Sequence, residues 1–146
     1  MTDTKAIENL NKLISEVPGI QRNSSEHTRW LANVLRVLDE KFGADSQYST
    51  TIRAFPWKET GSRIYSGYDF QAQRERDHQN AFRRQMEQTK GIIQSAVDAL
   101  TETVSEANEE AAQLVGTFDP KKVFIVHGHN ETVKQSVART LGSIGL

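Results

Sequence analysis

Between residues 69 and 106 the chain carries no proline and a single glycine, Gly91. Within that stretch Phe70, Phe82, Met86, Ile93, Val97, Leu100 and Val104 recur at helical spacings. An unbroken run with a 3.6-residue period leaves room for little but one long helix. Gly91 is the position where it can break. Residues 71–85 are nearly all polar, so that half is expected either to face solvent or to lie against another polar helix. Everything upstream has to fit around this rod.

The upstream segments also read as helices. Ile7, Leu10, Leu13, Ile14 and Val17 share one face of a helix over residues 3–17, with Thr2 or Asp3 as its cap and Pro18-Gly19 as its stop. Ser24 or Ser25 opens a second helix to about Phe42. Its stripe is Trp30, Leu31, Val34, Leu35, Val37, Leu38 and Phe42, and Gly43 closes it. Asp45-Ser46 offers a new cap, and Tyr48, Ile52 and Phe55 follow at i, i+4 and i+7 before Pro56. A short helix fits that spacing best, although the β-branched Thr50, Thr51 and Ile52 also read as a strand. Residues 57–68 form a loop whose aromatic content (Trp57, Tyr65, Tyr68) suits packing more than free motion.

Hydrophobic residues make up 36% of the 146, low for a globular domain, which fits a long polar helix or an exposed segment. Eighteen Lys and Arg against 19 Asp and Glu give a formal net charge of −1, so the surface as a whole is not built to bind nucleic acid. The balance is global and not local: residues 91–120 hold six acids and neither Lys nor Arg. The absence of cysteine excludes disulfides and thiolate chemistry. With no signal sequence at the N-terminus and no apolar run of about 20 residues, the expectation is a cytoplasmic protein with no membrane partner.

The texture changes after the acidic stretch 108–119, which reads as helix end plus linker. Lys121-Lys122 leads into Val123-Phe124-Ile125-Val126, then His127-Gly128-His129, then Asn130 as the cap of a helix bearing Val133, Val137, Leu141 and Ile144. A short, fully apolar run suits a strand buried on both faces. A glycine turn from such a strand into a helix N-terminus forms a corner for a bound anion or nucleotide; an ordinary βα turn without ligand has the same pattern. A lone strand has no sheet to join. Its hydrogen bonds are then met by the helical region, by a second copy, or not at all. His127 and His129 form an HxH pair that suits zinc only if a third ligand joins them, and a polar turn is the simpler reading. Val126-His127-Gly128 also matches the oxyanion strand of α/β-hydrolases, but no Gly-x-Ser-x-Gly elbow follows.

The segment from Lys121 to Leu146 resembles the opening of the nucleotide-binding TIR-like domains of bacterial anti-phage effectors, which are triggered by cyclic nucleotides. Gly128, His129, Asn130 and Glu131 match that family's turn, and the stretch Leu141 to Leu146 resembles its helix end. Trp30, Val37-Leu38 and Phe42-Gly43-Ala44-Asp45-Ser46 are similar to helical modules that precede such domains. The resemblance implies a flavodoxin-like fold and, in a complete relative, cleavage of NAD. The glutamate that acts in NAD-cleaving TIR domains has no match here, Glu131 included, so no catalytic residue, metal ligand or resident cofactor is assigned to this chain.

Together these readings give a mainly α protein. A helical regulatory or oligomerisation module covers residues 1–116, and residues 117–146 begin a TIR-like domain with a single strand and helix. The expected nucleotide contacts are His127, Gly128, His129 and Asn130. Arg76, Arg83 and Arg84, with Arg74 nearby on the long helix, are candidates for a signal or phosphate, since guanidinium groups fork onto phosphate; interleaved Glu75, Asp77 and Glu87 favour a solvated, paired face instead. Trp57, Tyr65 and Tyr68 are where a base would stack. Expected partners are a second copy through the helical module and a nucleotide signal. The alternative function is a helical protein–protein interaction module without nucleotide chemistry.

Overall fold

The Thr2 hydroxyl accepts the Lys5 backbone N–H at 3.3 Å and starts α1, Asp3–Glu16. Pro18 cannot continue an α-helix, and the chain tightens into a 3-10 turn at Val17–Gly19. Asn23, at φ 59°, turns the chain, and Ser24 caps α2, Ser25–Phe42, by accepting from the His27 N–H. Gly43 ends α2 at φ 89°, ψ 151°, a conformation that side chains disfavour, and its N–H returns to the Asp39 carbonyl at 2.9 Å. Ser46 caps α3, Gln47–Arg53. The helical reading of Tyr48, Ile52 and Phe55 is therefore the right one up to Arg53. α4 then runs from Phe70 to Gly116 without a break.

The computed structural model describes residues 1–116, and among these it is mainly helical, with four α-helices. The expected strand and helix of residues 117–146, with His127, Gly128, His129 and Asn130, lie outside the described residues. The first compact unit is Met1–Asn108, and α4 leads on from it into residues assigned to a second unit.

Two clasps hold α1 and α2 as an antiparallel hairpin. At one end the Met1 ammonium pairs with Glu40, and Lys41 pairs with Asp3 at 2.8 Å while also donating to the Met1 carbonyl. At the other end the buried Trp30 indole N–H donates to the Leu13 carbonyl at 2.9 Å. α3 is strapped to α2 through Arg53, which pairs with Asp39 at 2.6 Å and donates to the Ala44 carbonyl at 2.9 Å. The core collects Leu10 and Leu13 from α1, Trp30, Val34, Val37 and Leu38 from α2, Ile52 from α3, and Phe82, Met86, Ile93, Ala96, Val97 and Leu100 from α4. Only the middle of α4 contributes, because the rod is about 70 Å long at 1.5 Å per residue.

The reading of α4 as one long helix holds, with two refinements. Gly91 does not break it. A glycine in the α conformation costs a helix only about 1 kcal/mol, and Ile93, Ala96, Val97 and Leu100 dock immediately afterwards. The helix also continues ten residues past Glu106, through Glu109, Glu110, Ala111, Ala112 and Gln113, which are strong helix formers. The polar half at 71–85 is largely exposed, the first of the two alternatives, and its polar contacts are with the 57–68 loop and the α1–α2 turn rather than with another polar helix. Tyr65 donates to Asp77 at 2.7 Å, Arg63 pairs with Asp77 at 3.3 Å, and the Glu59 N–H donates to His78 Nδ1 at 3.2 Å. No helix among the described residues is long and apolar enough to cross a membrane.

Candidate functional site

The α1–α2 connection brings an arginine onto α4 that lies far from it in sequence. Arg22 sits one residue before the left-handed Asn23, so its side chain is set by the turn and by Ser24, whose hydroxyl donates to the Gln21 carbonyl at 2.7 Å. One of its terminal nitrogens pairs with Glu75 of α4. Its Nε is buried without a partner. The Arg22 hydrogen bond, followed by the charge itself, holds the Glu75 carboxyl below the usual carboxylate range.

Beside Arg22 a groove of about 610 Å³ opens between this turn and α4. Val17, Ile20, Phe82 and Met86 line it with apolar surface, while Arg22, Arg83, Gln21, Gln79 and Glu87 supply polar groups. Arg83 is exposed and closes no ion pair within 4 Å among the described residues. Two guanidinium groups over an apolar floor suit a ligand with an anionic group at one end and a flat apolar body at the other. Glu87 is the one carboxylate of the lining.

The three arginines expected to act together have different surroundings. Arg83 lines the groove. Arg76, two turns earlier, is exposed and makes no ion pair among the described residues. Arg84 turns to the loop and faces Glu59 at 3.8 Å, because consecutive helical residues point about 100° apart. The Glu59 carboxyl is held down first by the Gly61 backbone N–H, with Arg63 and Arg84 adding their charge. Of the loop aromatics, Trp57 is packed inward, Tyr65 is committed to Asp77, and Tyr68 is fully exposed.

Behind the groove lies a residue the sequence reading left aside. His27 is 8% exposed, with Trp57 edge-on at 4.7 Å, Phe82 edge-on at 5.0 Å and Trp30 stacked at 6.4 Å. Trp57 adopts φ 59°, a left-handed conformation costing roughly 1–2 kcal/mol; ring contacts with His27, Phe55 and Phe82 hold it there. The His27 Nε2 is buried with no hydrogen-bond partner, and burial pushes its pKa below 6.5. The sequence signal was available in the i, i+3 spacing of His27 and Trp30, which sets both on the buried face of α2.

The lowered pKa means that the unfolded chain takes up a proton before the folded one does. Stability is then complete above about pH 6.5 and declines as pH falls below it. Thermal unfolding followed from about pH 7.5 to 5.5 is expected to show a falling Tm for the wild type and a nearly flat one for His27→Phe. A wild-type Tm that rises over that range would refute the buried, neutral imidazole.

No family model matches this sequence, and no curated protein or solved structure matches it. Among the described residues no group of three His, Cys, Asp or Glu side chains stands close enough to hold a metal ion.

Proposed function

We propose that the helical unit is the regulatory part of a bacterial anti-phage TIR-like effector. It takes up a nucleotide signal at the Arg22–Arg83 groove and self-associates, which gathers the domains that follow α4. In the family the chain resembles, such gathered domains would cleave NAD, and His127, Gly128, His129 and Asn130 would line the nucleotide corner. The observation that carries the signal-binding role is the pairing of Arg22, its Nε buried and unpartnered, with the unpaired Arg83 over Phe82 and Met86. A phosphate on the guanidinium groups and a base on the apolar floor fit that division of chemistry.

Calorimetry with cyclic mono- and dinucleotides is expected to give a saturable heat for the wild type. The Arg22→Ala/Arg83→Ala variant should lose it by at least about tenfold in affinity, since each charge-assisted contact contributes roughly 1.5–3 kcal/mol. Light scattering on the same samples is expected to give a mass above the monomer. Absence of heat with every cyclic nucleotide would remove the signalling role. Self-association without nucleotide binding would favour the alternative, a protein–protein interaction module, for which the exposed acidic end of α4 is the supporting feature.

A further inference from the structure

Away from the Arg22–Arg83 groove, the two helices of the hairpin frame a second one, of about 390 Å³, on the face they share. Lys12 of α1 and Arg29 and Arg36 of α2 line it, with Asn9 and Asn33 between them and Glu16 as its one acid. None of the three cations closes an ion pair within 4 Å among the described residues. Glu26 and Glu40 flank them along α2 and feel the Arg29 and Arg36 charges, but Glu40 is already taken by the Met1 ammonium. The groove is held in shape by the two clasps of the hairpin, and its floor is the buried Leu13 and Val37.

The same chain carries the matching surface. Asp98, Glu102, Glu106 and Glu109 follow one another at i, i+4, i+8 and i+11 on α4, so they share one helix face, and all four are exposed. From Gly91 to the end of α4 there is no Lys or Arg to neutralise them; among the described residues the one polar contact to the stripe is Gln94 donating to Asp98 at 3.0 Å. The spans agree: Arg29 and Arg36 lie about 10 Å apart along α2, and Asp98 and Glu106 about 12 Å apart along α4. Ile93, Ala96, Val97 and Leu100 turn the other face of α4 to the core, so the exposed stripe points away from its own hairpin, and two acidic α4 ends repel each other. We propose that the acidic stripe of α4 from one copy docks in the Lys12–Arg29–Arg36 groove of a second copy. Docked reciprocally, the contact closes as a two-fold pair with both grooves filled; docked one way only, it propagates head to tail. The contact rests on the self-association in the function proposed above and names its surface.

Two charge reversals test it by analytical ultracentrifugation of the full chain. Arg29→Glu/Arg36→Glu empties the groove of its arginines, and Glu102→Lys/Glu106→Lys inverts the stripe. All four positions are exposed on helices, and circular dichroism checks that each variant stays folded. Wild type is expected to associate at low salt and to dissociate as ionic strength rises towards about 0.5 M, where screening shortens to a few ångströms. Each variant alone should associate on the order of tenfold more weakly. Mixed together they should form a complex again, since one retains the groove and the other the stripe. A mixture that stays monomeric, or a single variant that associates as wild type does, would overturn the contact while leaving association by some other face intact. A wild type that is monomeric at every salt concentration would overturn self-association itself, and nucleotide binding at Arg22 and Arg83 is read separately by calorimetry.

Discussion

Phe82→Ala is expected to destabilise the helical unit by about 3–5 kcal/mol, the range for truncating a large core side chain. Phe82 is 2% exposed and joins three parts of the structure. It belongs to the core with α1 and α2, its ring meets His27 at 5.0 Å, and Trp57 of the loop lies at 6.1 Å. Removing the ring leaves a cavity bounded by an imidazole without a partner and by a tryptophan in a left-handed conformation. Neither neighbour relaxes cheaply into the space, so the upper half of the range is expected. Urea unfolding followed by tryptophan fluorescence measures it. Trp57 emission should also shift to the red before the main transition, as the loop loses its anchor. Arg83→Ala, one residue on and exposed, is the control and should change stability by no more than about 0.5 kcal/mol. A Phe82→Ala loss below about 1 kcal/mol would mean that α4 does not dock through this ring.

How far the sequence carried can be judged at particular residues. The starts of α1, α2 and α3 were legible because Thr2, Ser24 and Ser46 do their work within three residues, and capping is a local hydrogen bond. The α2 stripe was legible for the same reason that helices are amphipathic. What covers residues 71–85 was not. Tyr65 with Asp77, and Glu59 with His78, join a loop without periodicity to a helix face without an apolar stripe, and no spacing rule encodes such pairs. The Arg22–Arg83 groove escaped for a related reason. Arg83 was visible as one of a basic cluster, but Arg22 reaches it only because Asn23 turns the chain and Glu75 receives the side chain. His27 stayed hidden because a single histidine carries no motif, and its missing partner is visible only in three dimensions. The Lys12–Arg29–Arg36 groove needs the antiparallel register of α1 and α2, which the Trp30–Leu13 bond fixes at long range. Local physics thus set the elements, and the sites arise where elements meet.

Gly91 tests the continuity of α4 through two substitutions of opposite sign. Nothing lies within 4 Å of a Cβ placed there, and the backbone has the φ of an ordinary helical residue. Gly91→Ala therefore removes unfolded-state entropy without a clash and is expected to stabilise the unit by about 0.5–1 kcal/mol. Gly91→Pro keeps φ acceptable but deletes the N–H that bonds to the Glu87 carbonyl, drives the ring into that carbonyl, and disfavours the helical conformation at Lys90. Its expected cost is about 3 kcal/mol or more. The loss falls between Thr89 and Ile93, both fully buried, so the kink also pulls Ile93, Ala96, Val97 and Leu100 out of register with α1 and α2. Far-UV circular dichroism should show reduced helicity for the proline variant alone, and urea unfolding should order the three proteins as Ala, Gly, Pro from most to least stable. The acidic stripe begins at Asp98, beyond the kink. The proline variant should therefore lose salt-sensitive self-association together with its stability, whereas the alanine variant should keep it. A proline variant as stable as wild type would mean that α4 is two helices meeting at Gly91, in which case Asp98 and Glu106 would no longer be carried by the same rod as Phe82 and Met86.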